Sequence, residues 1–213
     1  AKNIYIDFDS YGYTKEYINE GIEQYNDFIN YHFNIDFNGR TTNDDIYDLN
    51  DTNYGDPNIN NIKDSESHST HVSGIISGDR ENKSGNKGIN NLVEIMALRA
   101  IPNGDEYDKD VARAIRYAVD NGAKVINGSF GKYFSSNPEW VIDAIRYASE
   151  NNVLVIAAAG NESKDLDSLS NDNYPNDQFF NKDEFSDTFI KVGASSINLN
   201  ENFTAYFSNY GKI

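Results

Sequence analysis

Val153-Leu154-Val155-Ile156-Ala157-Ala158-Ala159-Gly160-Asn161 is the stretch on which the fold turns. It is apolar without interruption up to Gly160. A strand with one face in water alternates apolar and polar side chains, whereas a strand covered on both faces does not. The run therefore reads as the central strand of a parallel sheet. Upstream, Pro138 sits where a helix can start, and Val141, Ile145 and Ala148 recur at helical spacing behind it. Lys124 to Ser129 reads as a buried strand, Asp108 to Asn121 as a helix with Val111, Ile115 and Ala118/Val119 on one face, and Val93 to Ala100 as another strand. Downstream, Thr188 to Ala194 is a strand after a polar loop. Repeated strand–helix–strand units predict an α/β fold in three layers, a parallel sheet with right-handed crossovers and helices on both faces.

Further out the signal weakens. Ile4, Ile6 and Phe8 predict a short strand, and Ile18, Ile22, Tyr25 and Ile29 predict a helix over Lys15 to Asn30. From Phe33 to Glu66 the chain is rich in Asn, Asp and Gly and reads as a long exposed loop. Order returns at His68, where Val72, Ile75 and Ile76 predict a short buried helix, followed by a polar turn from Gly78 to Gly88. Neither Ala1 nor Ile213 reads as a finished terminus, so the expected domain, residues 1–213, is incomplete at both ends. Within it, residues 1–66 form an N-terminal segment with an insertion loop and residues 67–213 the core.

Composition removes several classes. With 18 basic against 34 acidic side chains the net charge is -16, which would repel nucleic acid. No apolar run approaches the length of a membrane span. Without cysteine there is neither a disulfide framework nor a thiolate nucleophile or metal ligand.

In a parallel α/β sheet the working residues lie at the carboxyl ends of the strands. That directs attention to Ser129-Phe130-Gly131, to Gly160-Asn161, and to His68 at a helix start. An imidazole suits proton transfer near neutral pH, although an isolated His in such a place is more often a helix cap. His68 and His71 are spaced for zinc, which would then need carboxylates or the remote His32 to complete it. Small residues ending in Asn let a second backbone approach and offer an amide to an oxyanion; alone, Gly-Asn is simply a turn. Ser129-Phe130-Gly131 offers backbone hydrogen bonds to an extended peptide, and no Gly-x-Ser-x-Gly elbow surrounds Ser129.

Each signal is weak alone, but their order and flanks are not. His68-Ser69-Thr70-His71-Val72-Ser73-Gly74 resembles the His-Gly-Thr-His-Val-Ala-Gly motif of the subtilisin-like serine proteases, or subtilases (peptidase S8). Val125 to Gly131 resembles their Val-Ile-Asn-Met-Ser-Leu-Gly, and Ala157 to Asn161 their Ala-Ala-Gly-Asn. Tyr174-Pro175, Val192-Gly193-Ala194 and Phe207-Ser208-Asn209-Tyr210-Gly211 match the segments that follow. Phe33 to Arg40 and Tyr54-Gly55-Asp56 resemble the insertion that precedes the histidine in a secreted bacterial branch.

The resemblance implies a serine endopeptidase with polypeptide substrates, monomeric and exported to the envelope or beyond. It implies that His68 is the catalytic base, that Asn161 supplies the oxyanion-hole side chain, and that Ser129, Phe130, Gly131, Ala158 and Gly160 bind substrate. It requires no cofactor for the chemistry and no catalytic metal, and it leaves room for structural Ca²⁺ near Asp79 to Gly88. The nucleophile of the family lies in Gly-Thr-Ser-Met-Ala, which residues 1–213 do not contain. The Asp is expected upstream, with Asp7 or Asp9 as the local alternatives. Ser69 stands where the family has Gly and Gly128 where it has Met. Those departures keep open an inactive, peptide-binding homologue.

Overall fold

The computed structural model describes residues 14–60, 66–81, 83, 85–104, 106–168, 170–178, 184–198 and 203–211. The expected Ile4–Phe8 strand and both Asp7 and Asp9 lie outside the described residues. The chain divides into two compact units. One takes residues up to Thr42 with the stretch Ile101–Asp105; the other takes Asn43–Ala100 and Glu106–Ile213.

In the first unit, helix α1 (Lys15–Asp27) passes directly into a π-helical turn, Phe28–His32. The turn closes when Phe33 N donates to Phe28 O at 2.8 Å. The Tyr31 and Phe37 rings then meet at a tilt of 59°, with centroids 4.7 Å apart. The helix is where the periodicity predicts it, but Ile22, Tyr25 and Ile29 of its apolar stripe are exposed.

The second unit holds α2 (His68–Ser77), α3 (Asp108–Asp120), β1 (Val125–Gly128), α4 (Pro138–Glu150), β2 (Leu154–Ala158) and β3 (Phe189–Val192). The three strands form one parallel sheet in the order β1-β2-β3, with Gly128 opposite Ala157 and Ala158 opposite Val192. The uninterrupted run is thus the central strand, as expected. Its side chains alternate between half-buried and buried, with Val155 and Ala157 on the closed face.

The core is made by α3 and α4 packing on each other, with α4 lying against β2. Val111, Ala112, Ile115 and Ala118 meet Val141, Ile142, Ala144, Ile145 and Ala148, all buried. Each fully buried Val or Ile contributes about 1.5–3 kcal/mol. Asp108 and Asp110 lie in the first turn of α3, where the helix dipole favours negative charge. The Asp108 carboxylate also accepts from Asn137 N at 2.9 Å, just ahead of Pro138, and so joins the starts of both helices. Both helices end in one manner. A left-handed residue, Gly122 (φ +86°) or Asn152 (φ +55°), turns the chain, and the next amide returns to Ala118 O or Ala148 O.

The loop over residues 43–60 contains no helix or strand but is tied to α3. Lys109, fully buried, donates to Asp44 Oδ2 and to Asp45 O, each at 2.6 Å, and lies over the Tyr54 ring. Tyr54 OH donates to Asp110.

Three expectations need correction. Residues 93–100 form no strand among the described residues; Leu92 is 89% exposed, and Val93, Ile95, Met96 and Leu98 are all exposed. An apolar sequence becomes a strand only when a neighbour completes its ladder of hydrogen bonds, and no described strand lies beside it. Strand β1 is not buried for the same reason. It pairs only with β2 among the described strands, which leaves Val125 55% exposed. Helix α2 carries no buried residue, and Val72 and Ile76 are only half covered.

Candidate active site

Parallel register brings the expected substrate-binding segments together. Gly128 of β1 pairs with Ala157 of β2, so Ser129-Phe130-Gly131 and Ala158-Ala159-Gly160 leave neighbouring strands side by side. A side chain at Gly131 would lie 3.9 Å from Ala158 O and 3.1 Å from Tyr174 O. The first distance is ordinary contact, and the second is tight enough that a side chain would have to push Tyr174 O back by a few tenths of an ångström. The place of Gly128 is equally cramped, because the Phe130 ring lies 3.1 Å from where a Cβ would be. The ring therefore fills the space that a methionine would have taken.

His68, the first residue of α2, is exposed and comes to this strand end. Its Nε2 lies 3.1 Å from Ser129 O. That contact places the proton on Nε2, since a carbonyl only accepts. The hydroxyl of Ser129 is occupied separately, accepting from Asn127 Nδ2 at 3.2 Å. His71, one turn further on, is also exposed, and no group of three His, Asp or Glu among the described residues is spaced to hold a metal.

The other half of the site is the turn after β2. Gly160 has φ +102°, and Asn161 follows it with its side chain exposed. This turn is gripped by Asn209, 1% exposed, from the Phe-Ser-Asn-Tyr-Gly segment. Asn209 N donates to Gly160 O at 2.9 Å, and Asn209 Nδ2 donates to Ala159 O at 2.7 Å. Asn209 Oδ1 accepts from Glu162 N at 3.1 Å and from Lys164 N at 2.8 Å. Asn209 therefore binds the chain on both sides of Asn161.

Glu162 closes the same turn, accepting from Asn161 N at 2.8 Å and also from Asn209 Nδ2 and Tyr133 OH. Burial pushes its carboxyl up, but the hydrogen bonds from Tyr133, Asn161 and Asn209, with the Lys164 charge, hold it below the usual carboxylate range. Tyr133 moves the opposite way, raised by burial and by its bond to Glu162.

A third support lies behind the Gly131 edge. Lys132 and Tyr174 exchange backbone hydrogen bonds, and the Tyr174–Pro175 peptide is cis. Asn173 is buried and receives the Lys191 ammonium on both its backbone oxygen, at 2.8 Å, and its side-chain oxygen, at 3.0 Å. Burial pulls the Lys191 amine down to about 8, against the opposing charge of Asp177. A small open cleft of about 10 Å³ borders this edge, with Val111, Phe130, Val141 and Ile142 as its apolar wall and the Asp108–Lys132 ion pair beside them.

The comparisons with known proteins bear on the whole arrangement. The sequence profile of the Subtilase family (Peptidase S8) matches residues 17–213. The chain belongs to the subtilase family. A cell wall-associated protease of Bacillus subtilis (strain 168) is 36% identical over 154 residues, which is 72% of this chain and 15% of that protein. A thermophilic serine proteinase of Bacillus sp. (strain AK1) is 38% identical over 116 residues, 54% of this chain and 27% of that protein. The match thus spans 15% of the first relative and 27% of the second, under a third of either. Among solved structures, that of sphericase has a TM-score of 0.54 at 26% identity, covering 67% of this chain and 44% of its own. The chain has the subtilisin-like α/β fold of that structure, a parallel sheet with packed helices.

Of the residues read from sequence, the structure brings His68 to Ser129 and sets Ser129–Gly131 against Ala158–Gly160. Glu162, Asn209, Tyr133 and Lys191 escaped that reading. Asn209 stood inside a quoted motif and Glu162 next to Asn161, whereas Tyr133 and Lys191 carry no sequence signal of their own.

Proposed function

We propose that this chain supplies the base and the oxyanion-stabilising side of a serine endopeptidase that hydrolyses peptide bonds through an acyl-enzyme. The observation that carries the reading is the convergence of three motifs on one sheet end: His68 Nε2 on the Ser129 carbonyl, with Gly131 facing Ala158 O. A Ser and an Asp that residues 1–213 do not identify complete the triad in this reading. The Ser attacks the peptide carbonyl and His68 accepts its proton at Nε2. That requires the proton of the neutral ring to sit on Nδ1, the tautomer selected by an Asp facing Nδ1, and the contact to Ser129 O then gives way. Asn161 donates its amide to the oxyanion as the tetrahedral intermediate forms. His68 returns the proton to the leaving amine, and water repeats the cycle on the acyl-enzyme.

Ser129–Gly131 and Ala158–Gly160 bind the substrate backbone and line the primary specificity pocket, with polypeptides as substrates and a monomer as the working unit. The chemistry needs no cofactor. In the loop that was the candidate for Ca²⁺, the carbonyl oxygens of Gly88 and Ile89 already accept from the Arg80 guanidinium, at 2.6 and 3.0 Å. The positive charge of Arg80 at those two oxygens disfavours a Ca²⁺ ion beside them, and structural Ca²⁺ elsewhere in the Asp79–Gly88 loop stays part of the proposal. The cell wall association named for the Bacillus subtilis relative favours work at the envelope or outside the cell. No helix among the described residues is long and apolar enough to cross a membrane.

A fluorophosphonate probe tests the reading directly. The full-length protein is labelled on serine, and His68→Ala abolishes labelling. Strong labelling of the His68→Ala protein overturns the base assignment, and no labelling of the folded wild type turns the reading into that of a peptide-binding homologue.

A further inference from the structure

We infer that Asn209 is a positioning residue for catalysis: it holds Asn161 in the geometry that meets the oxyanion. The inference rests on the reading of Asn161 just given. The Asn161 side chain is exposed, so nothing in its own packing fixes it. Its backbone is fixed instead. Gly160 stands at φ +102°, where a side chain is strained, and a Cβ there would run into Asn209 Nδ2. On the upstream side Asn209 binds Ala159 O and Gly160 O; on the downstream side it binds the amides of Glu162 and Lys164. One buried side chain and its own amide thus span both flanks of the residue whose amide must aim at a transient charge.

The electrostatics point the same way. Asn161 N donates to Glu162 Oε2, and that carboxylate is held in place by Asn209 Nδ2 and Tyr133 OH. The carboxylate thus orients the backbone of the turn without occupying the exposed amide of Asn161. A donor acting in a transition state works only if it is already oriented when the charge develops. A misplacement of about 1 Å is enough to cost roughly 10²-fold in rate. Asn209 touches no substrate in this scheme; it acts through Asn161.

A double-mutant cycle on the full-length enzyme separates this role from a general contribution to folding. The readout is phosphonylation by a fluorophosphonate, resolved into the maximal rate and the concentration dependence, with melting temperature measured in parallel. Asn161→Ala lowers the maximal rate about 10²–10³-fold, the range seen when such a donor is removed in a subtilisin. Asn209→Ala lowers it about 10–100-fold with little change in concentration dependence, and by less than about twofold in the Asn161→Ala background. Its effect on melting temperature is the same in both backgrounds. Should Asn209→Ala fail to fold, Tyr133→Phe removes the outer donor to Glu162 and gives a smaller loss with the same dependence on Asn161. Equal losses in both backgrounds overturn the positioning role and leave the oxyanion assignment standing. An Asn161→Ala enzyme as fast as wild type overturns that assignment and this inference with it.

Discussion

The two halves of the site are held very differently. The turn carrying Asn161 is gripped from within by the buried Asn209, by Glu162 and by a glycine at positive φ. The helix carrying His68 has no buried residue, and among the described residues the imidazole makes one hydrogen bond, to a carbonyl that must release it before the ring can accept a proton. An oxyanion donor works by being fixed in advance, because the charge it meets is brief. A base that changes protonation state twice per cycle needs a partner that selects its tautomer, and in the proposed mechanism that partner is an Asp. Preorganisation is therefore complete on one side and awaits a further carboxylate on the other.

The largest effect expected is at the loosely held residue: His68→Ala lowers the labelling rate roughly 10⁴–10⁶-fold. Because the helix packs so little there, its melting temperature stays within a few degrees of wild type. A large fall in thermal stability would break the contrast between the two halves. On the rigid side, Gly160→Ala places a methyl against Asn209 at a backbone angle that side chains avoid. It costs about 1–3 kcal/mol in urea denaturation and roughly 10–100-fold in labelling. A variant that labels normally shows the turn to be less constrained than its hydrogen bonds imply.

The support behind Gly131 is sensitive to pH. The folded chain gives up the Lys191 proton near 8, against 10.5 for an ordinary lysine. Between those values the unfolded chain binds more protons, so stability rises with pH across that window. Tyr133 and Tyr174, both raised by burial, reverse the trend above the ordinary tyrosine value of 10.0, where the unfolded chain ionises first. Lys191→Met removes the rise, and denaturation curves at about pH 7 and 9.5 measure it. A rise of the same size in the variant assigns it to another group. The smallest effect is expected from Ser69→Gly, which restores the residue usual in the family beside an exposed base. It costs about 0.5 kcal/mol of helix propensity and changes labelling less than about threefold. A large gain in rate would mean that the Ser69 side chain obstructs the site.

Much of this arrangement was legible because periodicity and local chemistry act along the chain. An unbroken apolar run marks β2, a spacing of three and four marks α3 and α4, and Pro138 marks where α4 begins. Residues 93–100 misled for a definite reason. Composition there satisfies the requirement for a strand, but a strand is a relation between two segments, and no described segment completes it. Helix α2 misled similarly: Val72, Ile75 and Ile76 have the spacing of a buried face without a described surface to bury it.

The amino-acid sequence by itself determined the family, the succession α3, β1, α4, β2, β3 and the choice of His68 and Asn161 as candidates, since these rest on residue types at fixed local spacing. Only the tertiary structure decided what holds them. Asn209 binds the residues flanking Asn161 across nearly fifty residues of chain, Tyr133 reaches Glu162 from another strand end, and Lys191 anchors the turn behind Gly131. A buried amide is read in sequence as one more loop residue. Its meaning comes from the donors and acceptors that folding brings around it, because a buried polar group must find partners wherever the chain supplies them.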